Sequence, residues 1–320
     1  MKKKFLVTGG AGFIGSHLVE ALLGAGHALV ALDDLSTGKR ANLPRAVAFH
    51  HASITDPQAV RAALAGVDGC FHLAAIASVA RASKDWFTTH QTNLGGLIVL
   101  FEAIRALPAP IPVVYASSAA VYGDRAALPI TEDAAKHPLS AYGADKLGCE
   151  SHARVARHVH GIATTGLRFF NVYGPRQDPG SPYSGVISIF CERILAGAPV
   201  AIFGDGGQTR DFIFVADVVA ALTAAMTHLM AGTMKDAPVF NVCTGKATSV
   251  RDLAAIIAGL CGRAPDLRFA PVRKGEIRHS CGAPEAARAA LGLAAPVPLE
   301  QGLASVLAWL DQASVGASST

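Results

Sequence analysis

The chain has 320 residues, of which 51% are hydrophobic and 16% are charged, and its formal net charge is +4. This composition supports a large apolar core and excludes wholesale disorder. No basic block and no run of 18 apolar residues occurs, so we expect neither a nucleic-acid partner nor a membrane span.

Short apolar runs alternate with helical patterns along the first half of the chain. Strands are predicted at Lys4–Thr8, Ala28–Leu32, Ala46–His50, Gly69–Leu73, Ile111–Ala116 and Thr164–Arg168. A strand that is followed by a helix, several times over, implies crossover connections and a parallel sheet covered on both faces. We therefore predict the α/β class, with a doubly wound parallel sheet.

The first strand is followed by a glycine-rich turn. The segment FLVTGGAGFIGSHLVEALL places Gly9, Gly12 and Gly15 between the first strand and the first helix. Glycines there let the backbone approach a pyrophosphate, which the helix N-terminus attracts through its free N–H groups. Asp33 directly follows the second strand, where a carboxylate could bind a ribose 2′-hydroxyl and would repel a 2′-phosphate. The pattern predicts a dinucleotide site that favours NAD over NADP; the alternative is a glycine turn without a ligand.

A tyrosine and a lysine stand four residues apart in the segment PLSAYGADKLGCE. Tyr142 and Lys146 share one helix face. Taken in isolation, the pair would be two surface side chains. Beside a dinucleotide, the lysine ammonium can hold the nicotinamide ribose and lower the pKa of the phenol, which is otherwise about 10. The tyrosine then acts as a base near neutral pH.

These motifs resemble the extended short-chain dehydrogenase/reductase superfamily, which carries G-x-x-G-x-x-G and Tyr-x-x-x-Lys. Within it the chain is similar to the nucleotide-sugar 4-epimerases, from about residue 4 to about residue 311. The resemblance implies a Rossmann domain, a smaller substrate-binding domain, tightly held NAD and a homodimer through two helices of the first domain. It also implies cofactor contacts from Phe13, Ile14, Ile54, Ala74 and Ala75, besides Gly9, Gly12, Asp33, Tyr142 and Lys146.

A third catalytic residue is expected at the end of the fifth strand, where VVYASSAAVYGD contains two serines. The segment resembles the one that holds the catalytic hydroxyl in epimerases, and the match falls on Ser118. This residue would bond to the 4-hydroxyl of the sugar and bridge toward Tyr142. Ser117 is interpreted as an ordinary strand-end serine, and Asn93 resembles a helix asparagine that more often supports the fold.

Two alanines follow Ser118. In the related sugar 4,6-dehydratases these places hold Asp and Glu, and uronate decarboxylases also carry a carboxylate there. Here they are Ala119 and Ala120. Without an acid, elimination of water lacks its proton donor, which favours an epimerase over a dehydratase.

Three later segments resemble the nucleotide-sugar pocket of the epimerases. LRFFNVYGPRQ matches it at Asn171, and IFGDGGQTRDFIFVADVV matches a diphosphate-binding arginine at Arg210. PVRKGEIRHS places Arg273 on the diphosphate and Glu276 near the nucleotide ribose. Two guanidinium groups would give bidentate, charge-assisted contacts to a diphosphate. The alternative is surface arginines paired with nearby acids.

Ser280, four residues after Glu276, matches a position beside the C2 substituent of the sugar. A tyrosine there restricts the family to plain hexoses, whereas a small residue leaves room for a 2-acetamido group. The resemblance therefore implies that UDP-GlcNAc and UDP-GalNAc fit as well as UDP-Glc and UDP-Gal. One departure concerns Ser53, because the family commonly has an aspartate there that contacts adenine. Serine keeps a hydrogen-bonding group for the cofactor but loses the charge.

The composition of the sequence changes near Leu167, after which Gly and Pro become frequent. The segment Asp211–Met226 again reads as a strand and then a helix. We predict an NAD-binding domain over residues 1–170, with 211–240 returning to it. Residues 171–210 and 241–311 would form the nucleotide-sugar-binding domain, and 312–320 a flexible tail.

Six cysteines stand at positions 70, 149, 191, 243, 261 and 281, none of them in a C-x-x-C pair. Free thiols in a reducing compartment are the better interpretation, and glycines interrupt the apolar run that could pass for a signal peptide. We therefore expect a cytoplasmic protein. The histidine pairs 50/51 and 158/160 do not place two imidazoles on one helix face, so no metal is expected.

The sequence thus predicts NAD-dependent inversion of C4 of a UDP-hexose through a 4-keto intermediate. Two alternatives use the same scaffold: 4-epimerisation of UDP-glucuronate and net oxidoreduction of a nucleotide sugar. An alternative from another class is a non-catalytic NAD-binding sensor. Ser118, Tyr142 and Lys146 argue against the sensor, because a sensor needs no base.

Overall fold

The computed structural model describes residues 1–125, 127–178, 185–272 and 277–317, the last five as backbone. Its strands are β1 (Lys4–Thr8), β2 (Ala28–Asp33), β3 (Ala48–His51), β4 (Gly69–His72), β5 (Val113–Ser118), β6 (Thr164–Phe169), β7 (Asn171–Tyr173), β8 (Val200–Phe203), β9 (Thr209–Phe214), β10 (Val239–Val242), β11 (Ala247–Ser249) and β12 (Leu267–Ala270).

Helices follow most of the strands. They are α1 (Phe13–Gly24), α2 (Pro57–Ala63), α3 (Val79–Lys84), α4 (Trp86–His90), α5 (Gly96–Arg105), α6 (Ala141–His160), α7 (Val186–Leu195), α8 (Val215–Met230), α9 (Val250–Leu260), α10 (Glu285–Leu291) and α11 (Leu299–Ala317). A π-helical segment, Gln91–Gly95, joins α4 to α5. Within the described part of the chain, no helix combines the length and the apolar character that crossing a membrane requires.

Seven parallel strands form the main sheet in the order β10-β6-β5-β4-β1-β2-β3. The direction of winding reverses between β1 and β4, and such a switch point opens a crevice at the carboxyl ends of the strands. The predicted doubly wound α/β fold is confirmed. Strand β5 begins two residues later than predicted, since Pro110 and Pro112 lack the N–H that a ladder needs.

The two faces of the main sheet carry separate apolar cores. Val7 and its neighbours pack against α1 and α8 through residues such as Leu18 and Leu222. Leu6 lies on the other face, in the core that includes Leu97 of α5 and Ala153 of α6. Successive side chains of a strand point to opposite faces. For this reason the near-continuous apolar run of β1 can serve both cores.

A second region packs around a third core that joins α7, α9 and α11. It contains the three-stranded sheet β11-β9-β7 and the parallel pair β12-β8. Within the stretch 211–240, β9 pairs with β7 and β11, whereas α8 packs on α1 and β10 lies beside β6 in the main sheet. The limits drawn between the two domains stay a prediction.

Candidate active site

A cavity of about 680 Å³ opens at the carboxyl ends of β1, β4 and β5. Its wall draws on the glycine loop, the first turns of α6, strands β7 and β9, and the segment 277–280. The predicted site residues on this wall are Gly9, Gly12, Phe13, Ile14, Asp33, Ile54, Ala74, Ala75, Ser118, Tyr142, Lys146, Asn171, Arg210 and Ser280. Arg273 and Glu276 lie outside the described residues.

The glycine loop forms a cradle that no side chain can enter. A Cβ on Gly15 would lie 2.1 Å from the Gly9 carbonyl oxygen, and one on Gly9, whose φ is +67°, would lie 2.8 Å from the Ala74 nitrogen. Gly12 caps α1 without a side-chain hydrogen bond, and the first helical residues, Phe13, Ile14 and Gly15, line the cavity. Open donors at a helix N-terminus suit a pyrophosphate. The cradle therefore fits the dinucleotide expected there.

Asp33 ends β2 beside this cradle. Its Oδ2 accepts a hydrogen bond from the Ala11 amide at 3.0 Å, and its Oδ1 accepts one from the Leu35 amide at 2.8 Å. Burial raises the pKa of this carboxyl, and the two amides partly oppose the rise. Each carboxylate oxygen has two lone pairs, so both retain capacity for a ribose hydroxyl.

Ser53 is not on the described wall, although Ile54 is. Its Oγ lies 2.8 Å from the Thr55 hydroxyl and accepts a bond from the Thr55 amide at 3.2 Å. The side chain thus folds back on its own turn, which is a common alternative for serine in loops. A contact between Ser53 and adenine stays a prediction.

Helix α6 carries the predicted acid–base pair. Ser140 caps the helix by accepting a bond from the Gly143 amide at 3.1 Å, which sets Tyr142 and Lys146 in its first two turns. Lys146 is 2% exposed, and its Nζ donates to the Ala116 carbonyl at 2.9 Å. That ammonium lies 5.9 Å from the centroid of the Tyr142 ring. A fixed positive charge is therefore held beside the phenol.

Ser118 lies two residues beyond Ala116 on β5. Its Oγ accepts a bond from the Ala120 amide at 3.1 Å and caps a 3₁₀ turn, which leaves its own proton for donation. The neighbouring Ser117 is buried and donates to Glu150 at 2.5 Å. Both serines line the cavity, but only Ser117 bonds to a carboxylate. Ser118 therefore keeps its hydroxyl proton available at the wall.

Asn93 is buried in the π-helical segment. Its side chain bonds to both backbone groups of Ile76, accepting from the nitrogen at 2.8 Å and donating to the oxygen at 3.2 Å. These bonds hold the loop after β4, from which Ala74 and Ala75 face the cavity. The contacts fit the predicted supporting role.

A buried pair beneath the cavity was missed by the sequence analysis. The Thr8 hydroxyl accepts from the Leu73 and Ala74 amides, each at 3.2 Å, and therefore donates to Nδ1 of His72 at 2.9 Å. Burial first, and then the charge of Lys146, lower the pKa of His72 to about 3. The imidazole is thus neutral, so Lys146 faces no second cation. Polar residues at the ends of two buried strands were the available signal.

Two of the residues predicted to bind substrate meet at the carbonyl of Thr209. Arg210 donates to this oxygen through Nη1 at 2.8 Å, and the Ser280 amide donates to it at 3.1 Å. Asn171 begins β7, where it pairs with Phe212 of β9. The structure therefore brings these three predicted residues together, although they are distant in sequence.

The chain is similar to known proteins along nearly its whole length. Residues 5–243 match the model of the NAD dependent epimerase/dehydratase family. The chain is 39% identical over 308 residues to the UDP-glucose 4-epimerase of Mycolicibacterium smegmatis, covering 94% of this chain and 96% of that protein.

Two solved structures are similar over nearly their whole length. The UDP-glucose 4-epimerase of Thermotoga maritima, solved with UDP-glucose, has a TM-score of 0.92 and 36% identity, covering 97% of this chain and 99% of that one. The UDP-N-acetylglucosamine 4-epimerase of Methanobrevibacter ruminantium M1, in complex with UDP-N-acetylmuramic acid, has a TM-score of 0.90 and 32% identity, covering 98% and 100%.

Proposed function

Because the chain belongs to the NAD dependent epimerase/dehydratase family, we propose that it inverts C4 of a UDP-hexose through a 4-keto intermediate. The family match also confirms the predicted cofactor, NAD. The observation that carries the proposal is that Ser118, Tyr142 and Lys146 meet on the wall of the cavity that contains the glycine cradle. The names of the similar proteins described above support the reaction type.

The residues of the cofactor half fit NAD in kind and position. The N–H groups at the start of α1 would bind its pyrophosphate, Asp33 its adenosine ribose and Lys146 its nicotinamide ribose. When bound, the nicotinamide supplies reversible hydride transfer at C4 of the sugar. The protein contributes binding, orientation and charge.

Proton transfer falls to the side chains of this chain. Tyr142, as phenolate, removes the proton from the 4-hydroxyl, and Ser118 bonds to the same oxygen. The ammonium of Lys146 stabilises the phenolate, and its bond to Ala116 keeps that charge from moving away. When C4 is reduced again, Tyr142 returns the proton. To invert C4, the keto sugar must turn its other face toward the nicotinamide before it is reduced again.

Ala119 and Ala120 favour epimerisation over elimination. Both residues lie on the cavity wall directly after Ser118. Neither side chain can give or take a proton, whereas elimination of water from the sugar needs an acid near the leaving hydroxyl. An intermediate formed at this wall would be reduced again rather than dehydrated.

We assign the substrate half from the resemblance and from the positions of its residues. Arg210 would hold the diphosphate and Asn171 the nucleotide sugar, with Arg273 and Glu276 as further contacts. Ser280 is a small residue on the wall, which supports acceptance of UDP-GlcNAc and UDP-GalNAc besides UDP-Glc and UDP-Gal. UDP-glucuronate remains the competing substrate.

A substrate panel tests this proposal. The purified protein, without added NAD, is incubated separately with UDP-GlcNAc, UDP-Glc and UDP-glucuronate, and the products are separated by chromatography. We expect the C4 epimers of the first two. Product from UDP-glucuronate alone would assign the competing substrate, and the absence of any product from a protein that retains NAD would favour the sensor.

We also propose a homodimer. Val155 and Val159 lie one turn apart on α6 and are 51% and 63% exposed, and Ile98 of the adjacent α5 is 37% exposed. Side chains four residues apart share a helix face, so the pair forms an apolar stripe that a second copy can cover. Light scattering should give twice the chain mass, and Val155→Asp should halve it. Leu260→Asp, at the end of α9, is the control that should not.

A further inference from the structure

A buried carboxylate lies behind the substrate wall and has no part in the mechanism above. Asp211 is 0% exposed and directly follows Arg210 on β9. Side chains alternate along a strand, and accordingly Arg210 is on the cavity wall whereas Asp211 bonds to groups inside the protein.

Four donors converge on this carboxylate. Oδ1 accepts from the Thr244 amide at 2.8 Å and from the Thr244 hydroxyl at 2.7 Å. Oδ2 accepts from the Gly245 amide at 2.9 Å and from the Gly282 amide at 3.3 Å, and the Cys281 thiol lies 3.8 Å away. An ionised carboxylate only accepts hydrogen bonds and has about four lone-pair sites, so these donors use nearly its full capacity.

The donors come from two loops that have no regular structure of their own. Thr244 and Gly245 belong to the turn between β10 and β11, and β11 pairs with β9 opposite Asp211. Gly282 belongs to the segment 277–283, from which Ile277 and Ser280 reach the cavity wall. Asp211 therefore connects three parts of the chain. They are the turn after β10 of the main sheet, strand β9, which carries Arg210, and the segment 277–283, which carries Ser280.

The segment 277–283 has further anchors near the wall: the Thr209 amide donates to the Arg278 carbonyl at 3.0 Å, and the Thr209 hydroxyl lies 3.0 Å from Nδ1 of His279. The Ser280 amide donates to the Thr209 carbonyl at 3.1 Å, and Ile130 exchanges backbone bonds with Cys281 and Ala283 at 2.8 and 2.9 Å. The Asp211 bond to Gly282 lies between the two bonds of Ile130, two residues beyond Ser280. The bond thus ties β9, the strand of Arg210, to the chain just beyond Ser280.

Burying a carboxylate is costly unless its hydrogen bonds are all made. Burial raises the pKa of Asp211, and the bonds from Thr244, Gly245 and Gly282 oppose that rise. A neutral apolar residue would avoid the cost but could not hold three backbone N–H groups in one place. The Asp211 carboxylate therefore holds the backbone behind the cavity wall in a fixed arrangement.

We propose that Asp211 is a positioning residue for the substrate: its carboxylate fixes Arg210 and Ser280 at the separation that binds the nucleotide sugar. This inference rests on the proposed function, which assigns Arg210 and Ser280 to the substrate.

The test replaces Asp211 by asparagine in the NAD-loaded enzyme. Asparagine has the same shape, but whichever way its amide is turned, its NH2 faces backbone N–H groups. We expect the Kd for UDP, measured by calorimetry, and the KM for the UDP-sugar to rise about tenfold. The kcat should fall less than about threefold, and the NAD content should be unchanged, which a merely destabilised protein would not show.

Two further variants keep the test decisive. Thr244→Val removes the hydroxyl donor, together with the acceptor of a 3.2 Å bond from the Lys246 amide. It should raise the Kd for UDP by about threefold, even if Asp211→Asn does not fold. Asp217→Asn alters a second carboxylate, in the first turn of α8, which accepts from the Val297 amide at 3.0 Å and is not on the described wall. It should lower the melting temperature and leave the Kd for UDP unchanged.

The outcomes separate the two proposals. If the wild-type enzyme binds UDP and both the Asp211 and Thr244 variants bind it equally well, the positioning role is overturned alone. If the wild-type enzyme neither binds UDP nor converts a UDP-sugar, the proposed function is overturned and the positioning role with it.

Discussion

The predicted cofactor half of the cavity centres on consecutive elements, β1, the glycine loop, α1 and β2. Gly9 and Gly12 lie between β1 and α1, and Asp33 ends β2. The predicted substrate half takes Asn171, Arg210 and Ser280 from separate parts of the chain and joins them through the carbonyl of Thr209 and the pairing of β7 with β9. The first half depends on local backbone geometry, and the second depends on long-range hydrogen bonds. Changes to the two halves should therefore have different effects.

The largest expected effect is the loss of turnover when Tyr142, which lies between the two halves, is changed. Tyr142→Phe removes the proposed base, and turnover should fall about 10²- to 10⁴-fold, while NAD remains bound. Turnover is measured with the UDP-sugar, and bound NAD by absorbance after denaturation. The matched control is Tyr115→Phe, since within the described residues the buried Tyr115 hydroxyl finds no hydrogen-bond partner. Unchanged turnover in the Tyr142 variant would end the catalytic assignment.

The next effect is confined to the cofactor half. In Gly15→Ala the new Cβ would lie 2.1 Å from the Gly9 carbonyl oxygen, so the cradle must move. We expect NAD affinity to fall about 10- to 100-fold, measured as NAD retained through gel filtration. The control lies in the same helix: a Cβ on Gly24 meets nothing within 4 Å. Gly24→Ala should retain NAD and gain about 0.5–1 kcal/mol of stability; equal retention of NAD by both variants would contradict the cradle.

A smaller effect belongs to the substrate half alone. Ser280→Tyr adds a ring to the wall on which Ser280 lies. The ratio of kcat/KM for UDP-GlcNAc to that for UDP-Glc should fall about tenfold, the usual scale of steric exclusion by a pocket. Steady-state kinetics with both sugars measures this ratio, and NAD content serves as the internal control. A ratio that does not change would remove Ser280 from the proposed sugar pocket.

The smallest expected effect is on stability as a function of pH. His72 has a pKa of about 3 in the folded protein, against 6.5 as the reference. Between these values the unfolded chain binds a proton that the folded chain does not. The contribution is therefore fully present above pH 6.5 and is lost as pH falls, by about 1.4 kcal/mol per unit. Urea unfolding of His72→Gln should show a shallower loss from pH 6.5 to 5.5; parallel curves would contradict a neutral buried His72.

Much of the first half of the fold follows from sequence pattern. The six predicted strands all occur, because apolar runs bounded by turns reflect burial on both faces. Strand β10 was not predicted. It has only four residues, Val239–Val242, and its place beside β6 depends on pairing across the sheet.

The candidate site divides in the same way. Tyr142 and Lys146 were predictable because a spacing of four residues sets two side chains on one helix face. The Thr8–His72 pair and Asp211 were not, since their partners are separated from them by many residues. Ser53 was chosen by resemblance alone. In the structure its hydroxyl bonds to that of Thr55, and its contact with adenine stays a prediction.

By itself, the sequence determined the class of sheet, the dinucleotide turn and the spacing of the acid–base pair. All three depend on neighbours within a few residues, where backbone geometry leaves little choice. Only the tertiary structure decided that Arg210 and Ser280 share the Thr209 carbonyl, that Lys146 bonds to Ala116 and that Asp211 accepts bonds from two loops. Such contacts arise from the burial of polar groups that must find partners, and those partners are determined by packing rather than by position in the chain.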